Sequence, residues 1–212
     1  MSNFEFTNSL LSTLRDSEAM GLVADAGEFG VDAMMDGPLQ DIPVFGTALK
    51  LWRTGAQVRD FVFLQKLVGF LRGVHTAGDS RVSGFVDGLA NDPERQQRIA
   101  TNLLIAIDRL DDVEKTELLA NAFCCLAEDR IEYDTFREFV VAIDRCLLAD
   151  LGRLASTTKT LSFDSAATAT RLLSCGLVEL HAVPTVRKEG DTGNHYHMTD
   201  LGRRFAEILL GK

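Results

Sequence analysis

Little in this chain matches the residue patterns that catalysis or metal binding ordinarily requires. The four cysteines, Cys124, Cys125, Cys146 and Cys175, form no C-x-x-C pair, and the last two stand alone in apolar helical contexts. That spacing excludes a thiolate zinc site and reads as small buried hydrophobes in a reducing compartment. No phosphate-cradling glycine loop, G-x-S-x-G elbow or Cys/His pair with an orienting residue is present. Gly27-Glu-Phe-Gly30 and the Gly69, Gly73 spacing are too sparse to serve as one. No uncharged apolar segment approaches the ~20 residues that span a bilayer. The start, Met1-Ser-Asn-Phe-Glu-Phe-Thr7, lacks the basic region and apolar run of a secretion signal. These absences predict a cytoplasmic protein that is not an enzyme and uses no cofactor or metal.

What the chain does have is apolar side chains and acid. At 212 residues, 46% hydrophobic and 25% charged, it can bury one large core or two small ones. The formal charge of -9 is unevenly placed: residues 151–212 hold eight Lys/Arg against six Asp/Glu and are +2, which leaves -11 on residues 1–150. An acidic body repels phosphate backbones, so any nucleic-acid binding must come from the tail.

Spacings of three and four among Leu10, Leu11, Leu14, then Leu22, Val23, Ala26, Phe29 and Ala33 predict two modest helices, the second weakened by Gly27 and Gly30. Asp36-Gly37-Pro38 and Asp41-Ile42-Pro43 break the chain. Residues 44–74 are densely apolar, with five basic residues (Lys50, Arg53, Arg59, Lys66, Arg72) and one acidic residue, Asp60. The apolar positions of 58–71 cover most directions of a helical wheel, which describes either a central core helix or a segment entering another apolar environment. A polar, glycine-containing passage is expected over 75–92, with a short helix at 82–89. Asp92-Pro93-Glu94 reads as an N-cap followed by proline at the first helical position. Asp111-Asp-Val-Glu114 has the D-x-x-E form of a capping box and opens the next helix, and Phe136, Phe139, Val140, Ile143, Leu147, Leu151 and Leu154 form one regular stripe. These three amphipathic helices are expected to pack together as a bundle.

In the last fifty residues, 164–173 reads as a short helix, and Leu177-Val-Glu-Leu-His-Ala-Val183 with His195-Tyr-His-Met198 as a hairpin. A final helix opens at Thr199-Asp200. Helix, hairpin, helix, with Leu172-Leu-Ser-Cys-Gly-Leu-Val-Glu-Leu180 at the joint, resembles the end of a winged-helix module. Asp41-Ile-Pro-Val-Phe-Gly-Thr-Ala48 and Val58-Arg-Asp-Phe-Val-Phe-Leu-Gln-Lys-Leu67 resemble a widespread group of uncharacterised bacterial proteins. Leu103-Leu-Ile-Ala-Ile-Asp-Arg-Leu-Asp-Asp-Val-Glu-Lys115 and the stripe from Phe136 to Leu151 are similar to the same group, and also to the helical TerB-like modules seen near stress and phage-defence loci. The resemblance covers about half of the chain and implies a setting; it carries over no catalytic residue.

The expected architecture is mainly α: a helical bundle over 1–155 and a winged-helix-like α+β module over 156–212. Asp108, Asp111, Asp112 and Glu114 lack the alternation and the glycine of an EF-hand and read as carboxylates at the positive ends of helices. His181, His195 and His197 share a strand face, but no Cys or carboxylate stands where a zinc site would need one. The preferred function is a non-enzymatic regulatory or protein-interaction protein, placed by the resemblance in phage defence or a stress response, that binds a partner protein or a second copy of itself. Its candidate interaction residues are Phe45, Trp52 and Phe63 in the apolar segment and Arg187, Lys188 and Tyr196 in the wing. One alternative is a transcriptional regulator that reads DNA with Thr168 and Arg171 on an exposed helix face and holds phosphate with Arg187 and Lys188. Glu189 and Asp191 adjoin that pair and weaken its field. The other is a membrane-acting effector working through 44–72; its missing polar face ranks it behind both.

Overall fold

The computed structural model describes residues 3–26, 37–52, 58–155, 161–162, 166–180 and 195–211, which form a mainly helical protein of two units, Met1–Ile131 and Glu132–Lys212. In the first unit, Asp16 separates α1 (Asn3–Arg15) from α2 (Ser17–Ala26). Its carboxylate accepts the backbone N–H groups of Glu18 at 3.0 Å and Ala19 at 3.1 Å, satisfying donors that the new helix leaves open. Leu10, Leu11, Leu14, Met20 and Val23 are buried, while Leu22 lies on the exposed side. A 3-10 turn at Pro38–Asp41 leads into α3 (Pro43–Trp52), so the second proline of the break opens a helix.

The longest element is α4 (Val58–Leu89), kinked at Gly78, where φ is 152°. Leu64, Leu67, Val68, Phe70, Leu71 and Val74 before the kink are buried, as are Val82, Val86 and Leu89 after it. This is the central core helix of the two readings, and it runs through the stretch expected to be a polar passage. The kink explains the difference: glycine adopts that φ without a Cβ clash, and the chain resumes helix with its apolar side still inward.

Helix α5 (Pro93–Arg109) starts as its sequence predicts, with the Asp92 carboxylate accepting the Arg95 N–H at 3.0 Å. Its stripe of Ile99, Leu103, Ile107 and the following Leu110 is buried. The capping box expected at Asp111 does not form. Instead Asp112 accepts the Glu114 N–H at 2.9 Å, and Asp111 pairs with the Lys115 ammonium at 2.6 Å. Helix α6 (Lys115–Ala127) lies along α4. The approach is close: a Cβ at Gly73 would stand 2.6 Å from that of Ala120, and one at Gly69 would overlap the Thr116 hydroxyl. The Gly69, Gly73 spacing, too sparse for a phosphate loop, is a helix-packing seam. Phe123 fills the space beyond it, 5.8 Å from Phe70 and 6.1 Å from Phe85 between ring centres.

The second unit contains α7 (Tyr133–Arg145), α8 (Leu148–Ala155), β1 (Leu161–Ser162), α9 (Ala166–Ser174), β2 (Val178–Leu180), β3 (His195–Met198) and α10 (Asp200–Leu209). Its sheet is antiparallel with order β1-β3-β2; Leu161 and Leu180 both stand opposite Tyr196, and Val178 opposite Met198. The single stripe expected from Phe136 to Leu154 is interrupted at Cys146, whose extended backbone (φ -91°, ψ 147°) divides it into two helices. Helix α9 ends on Gly176 at φ 71°, with the Gly176 N–H bonded to Leu173 O and the Leu177 N–H to Leu172 O, a Schellman ending. Helix α10 is seated on that turn: Thr199 N–H donates to Leu177 O at 3.1 Å, and Thr199 Oγ1 donates to Gly176 O and accepts from Gly202 N–H.

The two compact units are residues 1–131 and 132–212, where the expected domains are 1–155 and 156–212. Phe139 of α7 meets Phe205 of α10 edge-on at 5.1 Å, Cys146 touches Cys175, and Asp150 of α8 holds Arg171 of α9. Helices α7 and α8 are therefore part of the C-terminal core. Of the three helices expected to pack as a bundle, α5 and α6 belong to the first unit and α7 to the second.

Candidate functional site

Among the described residues of the second unit, a dense polar constellation centres on Asp150, which is 3% exposed. Oδ1 accepts the Thr168 hydroxyl at 2.8 Å and Arg171 Nη2 at 3.2 Å, and Oδ2 accepts Arg171 Nε at 2.5 Å. Thr168 and Arg171 are three apart on α9, so one turn presents both to the same carboxylate. Burial pushes the Asp150 carboxyl up, but the hydrogen bonds from Arg171 and Thr168 and the guanidinium charge outweigh it, leaving the group below the usual carboxylate range. The arrangement clamps α8 to α9.

Beside this clamp, the Cys146 thiol donates to Cys175 Sγ at 3.6 Å, with both residues buried. The hydrogen bond from Cys146 pulls the Cys175 thiol down against burial; Ser174 and the Arg145 charge assist, and Asp144 opposes. The first unit's thiols behave differently. Burial pushes Cys124 up to about 12, and it raises Cys125 despite the Arg130 charge.

At the α5–α6 joint two lysines are buried. Lys66 Nζ donates to Asp108 O at 2.8 Å, and Lys115, 1% exposed, pairs with Asp111. The hydrogen bond from Lys115 lowers the Asp111 carboxyl, against a smaller effect of burial and with help from the Lys115 charge. Of the acidic run read as helix-end carboxylates, Asp111 thus accepts a buried ammonium with its carboxylate, while Asp108 meets Lys66 through its backbone carbonyl. An open groove of about 550 Å³ along the start of α5 is lined by Pro93, Glu94, Gln97, Arg98, Thr101 and Asn102. All six lining residues belong to that one helix.

Of the sequence-derived interaction residues, the structure describes the side chains of Phe45, Phe63 and Tyr196. Phe45 is 1% exposed, because α3 turns it into the core of the first unit together with Val44 and Leu49. Phe63 is half-buried, with its ring 5.8 Å from that of Phe6. Tyr196 is buried because β3 is the central strand of the sheet. The side chain of Trp52 and the whole of Arg187 and Lys188 lie outside the described residues, as does His181. Thr168 and Arg171, expected on an exposed helix face, are instead turned toward Asp150. His195 and His197 are both half-buried on β3, and among the described residues no group of three His, Cys, Asp or Glu side chains converges as a metal site. Asp150 and the Cys146–Cys175 contact escaped the sequence reading. The available signal was the three-residue spacing of Thr168 and Arg171, which asks for an acceptor without naming it.

Among the described residues no helix is long and apolar enough to cross a membrane. Comparison with protein-family models, curated proteins and solved structures gives no match for this chain.

Proposed function

We propose that this chain is a non-enzymatic, cytoplasmic regulatory protein whose winged-helix-like C-terminal unit makes protein–protein contacts, with a partner protein or a second copy of the chain. The observation that carries this reading is the polarity of α9 and its surroundings. Thr168 and Arg171, the side chains that would read base edges, are bound to Asp150. Meanwhile Leu147, Leu173 and Leu180 are 48%, 38% and 56% exposed. The thiol contact draws the joint carrying Leu147 toward the end of α9 that carries Leu173. Exposed apolar side chains on a unit whose Thr168 and Arg171 are bound to a buried carboxylate suit a protein partner better than a phosphate backbone. The resemblance to TerB-like modules supports a setting in stress response or phage defence.

The DNA-binding alternative draws on the sheet order β1-β3-β2 and on a helix placed directly before the hairpin. It asks Arg171 to leave a buried carboxylate, so it would rest chiefly on Arg187 and Lys188. The membrane reading loses its material, since Val44, Phe45, Leu49, Leu64, Leu67, Phe70 and Leu71 are committed to the core.

The test is a pull-down from native lysate with tagged wild type and with a Leu173→Glu, Leu180→Glu variant of unchanged melting temperature, each split into nuclease-treated and detergent-treated halves. A stoichiometric protein that survives both treatments and is lost with the variant is the expected result. Recovery lost with nuclease but indifferent to the variant would favour DNA, and recovery lost only with detergent would favour a membrane.

A further inference from the structure

Cys146 and Cys175 come from different elements and meet at the ends of two helices. Cys146 follows the last turn of α7 in extended conformation, and Cys175 follows α9. Side chains there can change rotamer without unwinding a helix. Their sulfurs, 3.6 Å apart, are in van der Waals contact and about 1.5 Å short of bonding distance. Access is graded: Cys146 is fully buried, whereas Cys175 keeps 7% of its surface exposed. A small oxidant therefore meets Cys175 first, with Cys146 already behind it.

We propose that Cys146 and Cys175 are a peroxide-oxidisable dithiol that closes reversibly into an intramolecular disulfide within the C-terminal unit. The Cys175 thiolate attacks one peroxide oxygen, the O–O bond breaks, and water leaves once the departing hydroxide is protonated; Cys175 is then a sulfenic acid. The Cys146 sulfur, having released its proton, attacks the Cys175 sulfur; the S–S bond forms as the S–O bond breaks, and a second water leaves. Two thiols lose two electrons in all, and hydrogen peroxide becomes two waters. A dithiol reductant reverses the change by exchange, ending as a disulfide itself.

The electrostatics select this pair over the other two cysteines. The thiol donated by Cys146 favours the thiolate of Cys175, the reacting form. Burial holds Cys124 as the thiol, with its ionisation pushed up to about 12. The adjacent Cys124 and Cys125 are thus the internal control, equally buried yet held protonated.

The experiment uses the full chain, reduced, freed of reductant, treated with stoichiometric hydrogen peroxide, then denatured and alkylated. Intact mass and a non-reduced peptide map are the readouts. The expected product has lost two hydrogens, retains alkylation at Cys124 and Cys125 only, yields a cross-linked peptide joining Cys146 to Cys175, and returns to four alkylated sulfurs after dithiothreitol. Alkylation of all four after peroxide, a bond involving Cys124 or Cys125, or Cys175 accumulating as sulfinic acid without a cross-link would each overturn the proposal. In Cys146→Ser, Cys175 should stop at the sulfenic acid and be trapped by dimedone. Should that substitution impair folding, the wild-type peptide map decides the matter by itself.

Discussion

A carboxylate shielded from water survives as an anion only when hydrogen bonds and a counter-charge replace its hydration, and Asp150 has both from one turn of α9. Replacing it with alanine leaves the buried Thr168 hydroxyl without its acceptor, which costs about 1–3 kcal/mol. A lower melting temperature for Asp150→Ala at neutral pH is therefore expected. The pH dependence has a definite sign. The carboxyl is lowered in the folded chain, so its contribution is fully present above the unfolded value of about 4 and is lost as pH falls through the lower folded value. Thermal unfolding of wild type and Asp150→Ala between pH 7 and pH 3 should show the gap between them narrowing at the acid end. A constant gap would mean that the ionised carboxylate contributes nothing. The sequence offered Thr168 and Arg171 as polar groups on a short helix and could not say which side faced inward, because the deciding residue sits on another helix.

Helix pairs are limited by how near their axes can come, and α4 and α6 come near because Gly69 and Gly73 have no side chain. At Gly73 an added methyl meets the Ala120 methyl with the Glu117 backbone just beyond, so the helices must separate. Overpacking of this kind costs about 1–3 kcal/mol, and Gly73→Ala should lower the urea midpoint by a corresponding amount. A restoring Ala120→Gly in the same chain should recover most of it, which distinguishes a steric seam from a change in helix propensity. At this scale much was legible from spacing. The helices at 3–15, 93–109 and 115–127 follow apolar periods that the sequence displays, and 17–26 contains the Leu22, Val23 and Ala26 part of the second predicted helix, whose Phe29 and Ala33 lie outside the described residues. What escaped were the continuations and breaks: α4 passes through Gly78 where glycines suggested a loop, and one stripe breaks at Cys146 where periodicity suggested a single helix. Both depend on backbone angles at a single residue, to which apolar periodicity is blind.

Each unit has its own buried aromatic contacts, Phe70 with Phe123 in the first and Phe139 with Phe205 in the second. A segment with a separate core can fold separately. Residues 132–212 expressed alone should unfold cooperatively with native near-ultraviolet dichroism, whereas residues 156–212, deprived of α7 and α8, should not. A folded 156–212 would favour the expected boundary at 155/156. Helix α7 carries the same kind of apolar stripe as α5 and α6, and a stripe does not disclose which core it enters; its contact with α10 does. Among the described residues, the edges of the C-terminal sheet are β1, of two residues, and β2, of three, flanking the longer β3. Strand β3 lies between β1 and β2 and is hydrogen-bonded to both within the sheet. A strand paired along both sides keeps its backbone inside the sheet, so β3 can present only side chains to anything that approaches it.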